Sequence, residues 1–445
     1  MSELPSGWSI VALSDVCKLP EQLIPHADKV LTYIDITSID RALKKVSKPQ
    51  QLLGADAPSR ARKLVEKGDV LVSMTRPNLN AVALIGDQHD GCIASTGFDV
   101  LKPIEVDPRW IFSAVRSISF VNAMCSKVQG ALYPAVKSAD IREYEIPLPP
   151  LAEQNRISQK LDELLTQVDT LKARIDGIPA LLKRFRQSVL TAAVSGRLTE
   201  EWRCERNIPN CSEVELGLLI KEGPQNGLYK PSSAYGTGVK IIRIDSFYSG
   251  EIKDLEGLRS LAVDQCELEK WGVKVGDILI NRVNSIEYLG KCALVRSAPE
   301  PTVFESNVMR MSLRTDMVSP EYLMRYLSSE IGRKRLISKA KHAVNQASIN
   351  QGDVKACKIP LPSLTEQNEI VKLVERFFAF AEVLEDKVDS AKSRIDHLTQ
   401  SILAKAFRGE LMPQDPNDEP ASALLERIQA QRAAAPKVKR GRKST

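Results

Sequence analysis

The chain has 445 residues, 43% of them hydrophobic and 27% charged, with a formal net charge of +6. That length exceeds what one core holds, so two to four domains are expected; its eight cysteines include no CxxC pair, which argues against a zinc site and a disulfide framework. The N-terminus lacks a basic segment followed by an apolar run, and no stretch approaches about 18 apolar residues, so a soluble protein of the cytoplasm is expected.

In chain order, residues 1–150 read as a mixed globular head. Short β-rich runs such as "YIDITSI" from Tyr33 and "KGDVLVS" from Lys67 are followed by "DPRWIFSAVRSISFVNAMCS" from Asp107, which reads as helical. The phrase "IPLPPLAEQNRI" then begins at Ile146. Two prolines cannot continue a central strand or enter a helix, so the phrase reads as an extended exit meeting a helix start, with Glu153 in the first turn.

From there to residue 203, apolar side chains alternate in steps of four and three at Ile157, Leu161, Leu164, Val168, Leu171, Ile175, Ile178, Leu182, Phe185 and Val189. This is the seam of a coiled coil. Pro179 predicts a kink or short break, leaving a helix of ~27 residues from Leu151, about 40 Å long and equal to roughly 12 base pairs of duplex.

Residues 204–362 repeat the head: "VGDILIN" at Val275 and "IIRIDSF" at Ile241 each lie 208 residues after their counterparts. "SPEYLMRYLSSEIGRKRLISKA" from Ser319 matches the first head's helical stretch. "IPLPSLTEQNEI" at Ile359 repeats the joint 213 residues on, and 17 of the 53 positions from there to Leu411 are identical to the first copy. In this copy Ser363 and Glu366 have capping-box spacing. The second seam, in residues 363–412, runs Ile370, Val374, Phe377, Ala381, Leu384, Val388, Ala391, Ile395, Leu398 and Ile402.

Residues 413–445 hold a short amphipathic helix and a tail in which Lys437, Lys439, Arg440, Arg442 and Lys443 supply five of the six net charges. Charge alone therefore does not mark the body as nucleic-acid binding. The expected fold is α+β: two tandem mixed heads separated by an antiparallel two-helix coiled coil, a pseudo-two-fold repeat that would form a dumbbell with a rigid bar.

Catalytic motifs are not found. No GxxxxGK[ST] phosphate loop, no glycine-rich nucleotide turn and no NPPY-type tetrapeptide occurs, and the four histidines are not paired at ligand spacing. Asp245, Glu251 and Lys253 have the residue types of a nuclease triad, a pattern common by chance in so charged a chain.

The two heptad arms, the duplicated proline joints and the segments "RFRQSVLTAAVSGRLTEEWR" and "QSILAKAFRGEL" resemble the specificity subunit of a type I restriction-modification enzyme, of the K-type (type IA) family. The resemblance covers the whole chain. It implies that the heads are target recognition domains each reading a few base pairs of a bipartite double-stranded DNA target, that the arms set the gap, and that the repeated regions dock two modification and two motor-nuclease subunits. S-adenosylmethionine, ATP and Mg²⁺ would then act on those partners, and this chain would be a non-catalytic component. A two-headed adaptor or scaffold not specific for DNA is the alternative.

Base readout needs Arg, Lys, Asn, Gln or Ser on loops that reach the groove. The first head offers Thr75, Arg76, Asn78 and Asn80, then Tyr133, Lys137 and Ser138; the second offers Arg282, Asn284 and Ser285, then Asn345, Gln346, Ser348 and Asn350. Any one of these could equally serve an ordinary polar turn.

Overall fold

The computed structural model describes residues 4–128, 134–209, 211–248, 250–252, 257–298, 300–344 and 346–434. Tyr133, Lys253, Asn345 and the basic tail lie outside them. The chain divides into two compact units, one built from residues 1–176 and 390–445, the other from residues 177–389.

Each head is organised around a four-stranded antiparallel sheet. In the first unit Phe98–Pro103 lies between Val70–Ser73 and Cys17–Lys18, with Val82–Leu84 beyond Val70–Ser73. In the second, Val308–Leu313 lies between Ile278–Asn281 and Ile220–Asn226, with Cys292–Leu294 on the outer side. The strands Val70–Ser73 and Ile278–Asn281 are buried at every position, which is why they read as continuous apolar runs rather than alternating ones.

The Gly-Asp pair before each has a local cause. Gly68 and Gly276 turn the chain at φ +90° and +93°, a region costly for a side chain, and Asp69 and Asp277 close the turn by accepting the Glu66 and Lys274 amides at 2.8 Å. A second sheet in each head contains a parallel pair: Val30–Ile34 with Ile93–Ser95, and Tyr235–Ile242 with Thr302–Phe304.

The helical stretch of each head is two helices rather than one. Pro108–Arg116 gives way to Ile118–Ser126 at Ser117, and Pro320–Ser328 to Glu330–Leu336 at Ser329. Both serines have extended backbone, and their hydroxyls accept the Phe120 and Gly332 amides at 3.2 and 3.0 Å. The serines are N-caps that end one helix by starting the next.

Each proline joint is a strand. Glu145–Leu148 pairs antiparallel with Ser9–Ala12 and Lys358–Leu361 with Ser212–Glu215, in two-stranded sheets where a missing proline N–H leaves no central ladder broken. The Pro147 carbonyl accepts the Trp110 indole N–H at 3.1 Å; the Pro360 carbonyl accepts the Tyr322 hydroxyl at 2.8 Å.

The arms Leu151–Val194 and Leu364–Phe407 are single helices of 44 residues each. Pro179 lies inside the first helix without ending it, so the expected ~27-residue arm does not hold. An interior proline costs about 3 kcal/mol; the seam is buried at Val168 in the first unit and at Leu182 in the second.

Within the first unit Lys172 pairs with Asp396 at 3.0 Å and Asp176 with Lys392 at 3.2 Å, so the two helices run antiparallel. Within the second, Phe185 meets Phe377 edge-on and Arg186 grips Glu385 with two bonds of 2.6 and 2.9 Å. Ile157, Leu161, Val168, Ile370, Val374, Ala381 and Val388 are buried, and Leu164, Ile175 and Leu384 half-buried. Leu171, Phe377 and Leu398 depart from the burial expected of the seam, with 46%, 38% and 45% of their surface exposed. Heptad phase alone cannot distinguish them, because a lone helix pair leaves one flank of its seam to solvent.

After the second arm the chain turns back onto the first head. Phe407 packs on Trp110, which meets Trp8 edge-on, and Ala421, Leu424 and Ile428 of the helix Ala421–Ala434 are buried in the same core.

Candidate nucleic-acid interface

In each head the two nominated loops are brought together. In the first, Thr75 bridges to Ala135, the Arg76 amide donates to the Pro134 carbonyl at 2.7 Å and the Val136 amide to the Met74 carbonyl at 2.8 Å. In the second, Val283–Asn284 pairs with Gln346–Ser348 in the register Val283 to Ser348, and the Ile349 amide donates to the Arg282 carbonyl at 2.9 Å. These are the same connections displaced by the 208- and 213-residue offsets of the repeat. The second head adds Lys341–Ala343 as a third strand, making a hairpin near whose tip Val344 is 92% exposed.

The side chains divide into two kinds. Those of Arg76, Asn78, Lys137 and Gln346 are exposed and make no hydrogen bond or ion pair with the described residues. Arg76 is also held in the left-handed region at φ +49°, an unfavourable conformation for an arginine. Thr75, Arg76, Thr37 and Arg41 line a concavity of about 280 Å³, closed by Ile36, Leu79, Ala81 and Pro134. Ser138 and Ser348 are half-buried.

Other candidates are committed to the scaffold. The Asn80 amide donates to the Val115 carbonyl at 2.8 Å, Arg282 donates to the Ser306 carbonyl at 3.1 Å, and the Asn350 side chain caps Gln351–Lys355 by accepting the Asp353 amide at 3.0 Å. Asn284 donates to the Tyr248 hydroxyl at 3.3 Å and accepts the Ser285 amide at 2.8 Å. Tyr248 stacks on Tyr288 with ring centroids 4.1 Å apart, which fixes this loop.

The Glu-Gln-Asn that follows each proline joint supplies the clasp beneath each head. Gln154 and Gln367 are fully buried. Gln154 donates to the Pro149 carbonyl at 2.8 Å and accepts the Asp107 amide at 3.1 Å; Gln367 donates to the Pro362 carbonyl at 2.9 Å and accepts the Ser319 amide at 2.7 Å. One side chain thus locks the joint, the arm and the cap of the first head helix together.

The neighbouring glutamates do related work with different partners. Glu366 accepts the Thr199 hydroxyl at 2.7 Å and the Arg203 guanidinium at 2.5 Å. Glu153 accepts the Trp8 indole at 3.0 Å and Gln414 at 3.4 Å, and burial raises its pKa against those hydrogen bonds. Both sets come from the segments that follow the arms, "GRLTEEWR" and "GELMPQ", joined in the first head by Trp8.

Among the described residues there is no cluster of His, Cys, Asp and Glu able to hold a metal ion, and no helix is long and apolar enough to cross a membrane.

Residues 5–180 and 236–391 match the family described as the type I restriction modification DNA specificity domain. The EcoKI specificity subunit of Escherichia coli K12 is 34% identical over all of this chain and 99% of its own length. The StySPI specificity subunit of Salmonella potsdam is 33% identical over 99% of both. Among solved structures, a chain from a study of complex assembly and conformational transition of the type I R-M system superposes with a TM-score of 0.72 at 28% identity, over 92% of this chain and all of that one. The HsdS subunit of Thermoanaerobacter tengcongensis gives 0.60 at 28% identity, over 92% of this chain and 98% of its own.

Proposed function

Because the chain belongs to the type I restriction modification DNA specificity family, we propose that each head reads one half of a bipartite double-stranded target, that the paired arms set the gap, and that the repeated joints and arms dock two modification and two motor-nuclease subunits. The observation that carries the reading is the matched pairing of two loops in each head, Thr75 with Ala135 and Val283 with Ser348. A scaffold that supports the same loop pair twice, and varies the side chains it presents, is built to read two unlike sequences. The exposed and unengaged Arg76, Asn78, Lys137 and Gln346 carry the readout. Asn80, Arg282 and Asn350 hold the loops in place. Family membership disfavours the adaptor reading.

The chain works in the cytoplasm as the non-catalytic member of the complex, with S-adenosylmethionine, ATP and Mg²⁺ bound by its partners. The sequence supports this, since it has no phosphate loop and no methyl-donor motif. The test is methylation mapping in cells carrying the chain and its modification subunits, with Arg76→Ala and Gln346→Ala made separately. Each variant is expected to relax one half-site only, with roughly 1 to 3 kcal/mol of discrimination lost per true base contact. Relaxation of both halves by either variant would overturn the assignment of one head to one half-site.

A further inference from the structure

Beside each recognition loop the structure gathers cations whose more buried members touch no carboxylate among the described residues. In the first unit the Lys44 ammonium donates to the Asn80 carbonyl at 2.6 Å, and Asn80 in turn reaches the Val115 carbonyl, next to Arg116. The Arg116 side chain is half-buried and lies 4.9 Å from the centre of the Phe112 ring, yet makes no hydrogen bond or ion pair with the described residues. Lys172, on the arm, is close enough to act electrostatically on Lys44.

Lys44 feels this surrounding. Burial first, then the charges of Arg116 and Lys172, push its pKa down to about 8. Acidic groups are in range of the rest of the cluster, Asp162 and Asp169 acting on Arg116 and Asp396 bonded to Lys172, but none of them offsets the field at Lys44.

The second unit does the same with other residues. Lys291 donates to the Tyr248 carbonyl and lies over the Tyr288 ring at 4.9 Å. Its pKa is lowered by burial first, then by Arg333 and by Lys183 on the arm, with Glu287 opposing. Arg333 spends its donors on the Leu289, Ile286 and Glu287 carbonyls, fixing the loop, while Lys183 makes no ion pair with the described residues.

Lys44, in the turn before Lys45–Val46, and Lys291, just before Cys292–Leu294, are not equivalent positions of the repeat, so the arrangement is not inherited from the duplicated text. It has arisen twice: a lysine under the recognition loop, an arginine from the paired head helices, and a lysine from the first arm. Partly buried cations without contacting anions are costly alone, and such groups gather where a charged ligand completes them.

We propose that Lys44 and Arg116 in the first unit, and Lys183 and Lys291 in the second, hold a backbone phosphate of the target duplex beside the half-site read by that head. This rests on the assignment of the heads to DNA. The clusters position the duplex without reading it, leaving discrimination to the loops above.

The test uses the full chain assembled with its modification subunits and a duplex carrying the methylated motif of the wild-type complex. Affinity is measured across a salt series for wild type, for Lys44→Gln with Arg116→Gln, and for Lys183→Gln with Lys291→Gln; Lys183→Gln alone, at an exposed position, guards against misfolding of the double variant. The expected result is a plot of log affinity against log salt that is shallower by about one to two for each double variant, and by up to about one for Lys183→Gln, with the bipartite motif unchanged. An unchanged slope, or a loss confined to particular base pairs, would overturn the phosphate clusters. A wild-type complex that methylates no bipartite motif would instead overturn the reading on which they rest.

Discussion

Gln154 and Gln367 show how much one side chain can carry. Gln154 satisfies two backbone groups, 5 and 47 residues away in sequence, and Gln367 three, 5, 48 and 50 residues away. Replacing Gln367 with Leu removes the partner of the Ser319 amide and of the Met317 and Pro362 carbonyls, at about 1–3 kcal/mol for each orphaned group. Urea unfolding of the full chain is expected to show that loss, with little change on Glu369→Gln, a partly exposed neighbour on the same helix. The repetition of Glu-Gln-Asn was visible in the sequence, but its purpose was not, because the Asp107 and Ser319 amides come near only when the head folds. The same limit accounts for Asn80, Arg282 and Asn350: their residue types suit base readout, and only the fold shows each bonded to the scaffold, at the Val115 carbonyl, the Ser306 carbonyl and the Asp353 amide.

Lys44 gives a second expectation at this scale. Held near 8 by burial, Arg116 and Lys172, it is about half protonated at pH 8 in the free protein. A phosphate beside it would restore a higher value, so DNA binding is expected to take up protons around pH 8 and to weaken as pH rises beyond it. Calorimetry in buffers of differing ionisation enthalpy measures that uptake, which Lys44→Gln should remove. In the absence of DNA the sign reverses: the folded state binds the Lys44 proton less well than the unfolded chain, so stability from this group rises between about pH 8 and 10.5.

The arms were the most legible elements, since a spacing of four and three kept over ten positions is the signature of a helix with one apolar stripe. Two things escaped it. The periodicity could not weigh Pro179 against the packing on either side, and it could not separate buried from flanking seam positions. Val168 is 5% exposed and Leu171 46%. Val168→Asp is therefore expected to destabilise the first unit by about 3–5 kcal/mol, the cost of an unpaired buried charge, whereas Leu171→Asp should cost under about 1 kcal/mol. Thermal unfolding of the two variants distinguishes them; equal losses would place Leu171 in the seam after all. The division of each head's helical stretch at Ser117 and Ser329 was hidden for a related reason, because a serine within an apolar pattern reads as tolerated until its extended backbone is seen.

For the whole molecule, duplication was plain from the offsets, and the family followed from its motifs. The joining of residues 390–434 to the first head was not legible, since nothing local ties Phe407 to Trp110. If the arms set the gap, inserting four residues before Leu171 and four opposite, near Asp396, adds about 6 Å of helix, at most roughly two base pairs. The insertion is a stutter that local unwinding absorbs. Selection from a random-gap library is expected to return the same half-sites at a longer gap, more weakly bound because the groove has also turned; altered half-sites at the old gap would count against a ruler.

The closure of the first unit by residues 390–434 bears on how the chain is made. The second unit is one continuous stretch, 177–389, and can complete itself while the ribosome is still at work. The head that emerges first must wait longest, with Trp8 and Trp110 lacking Phe407, Leu424 and Ile428 until the late codons are read. A nonsense mutation late in the gene therefore strikes the earliest-made head.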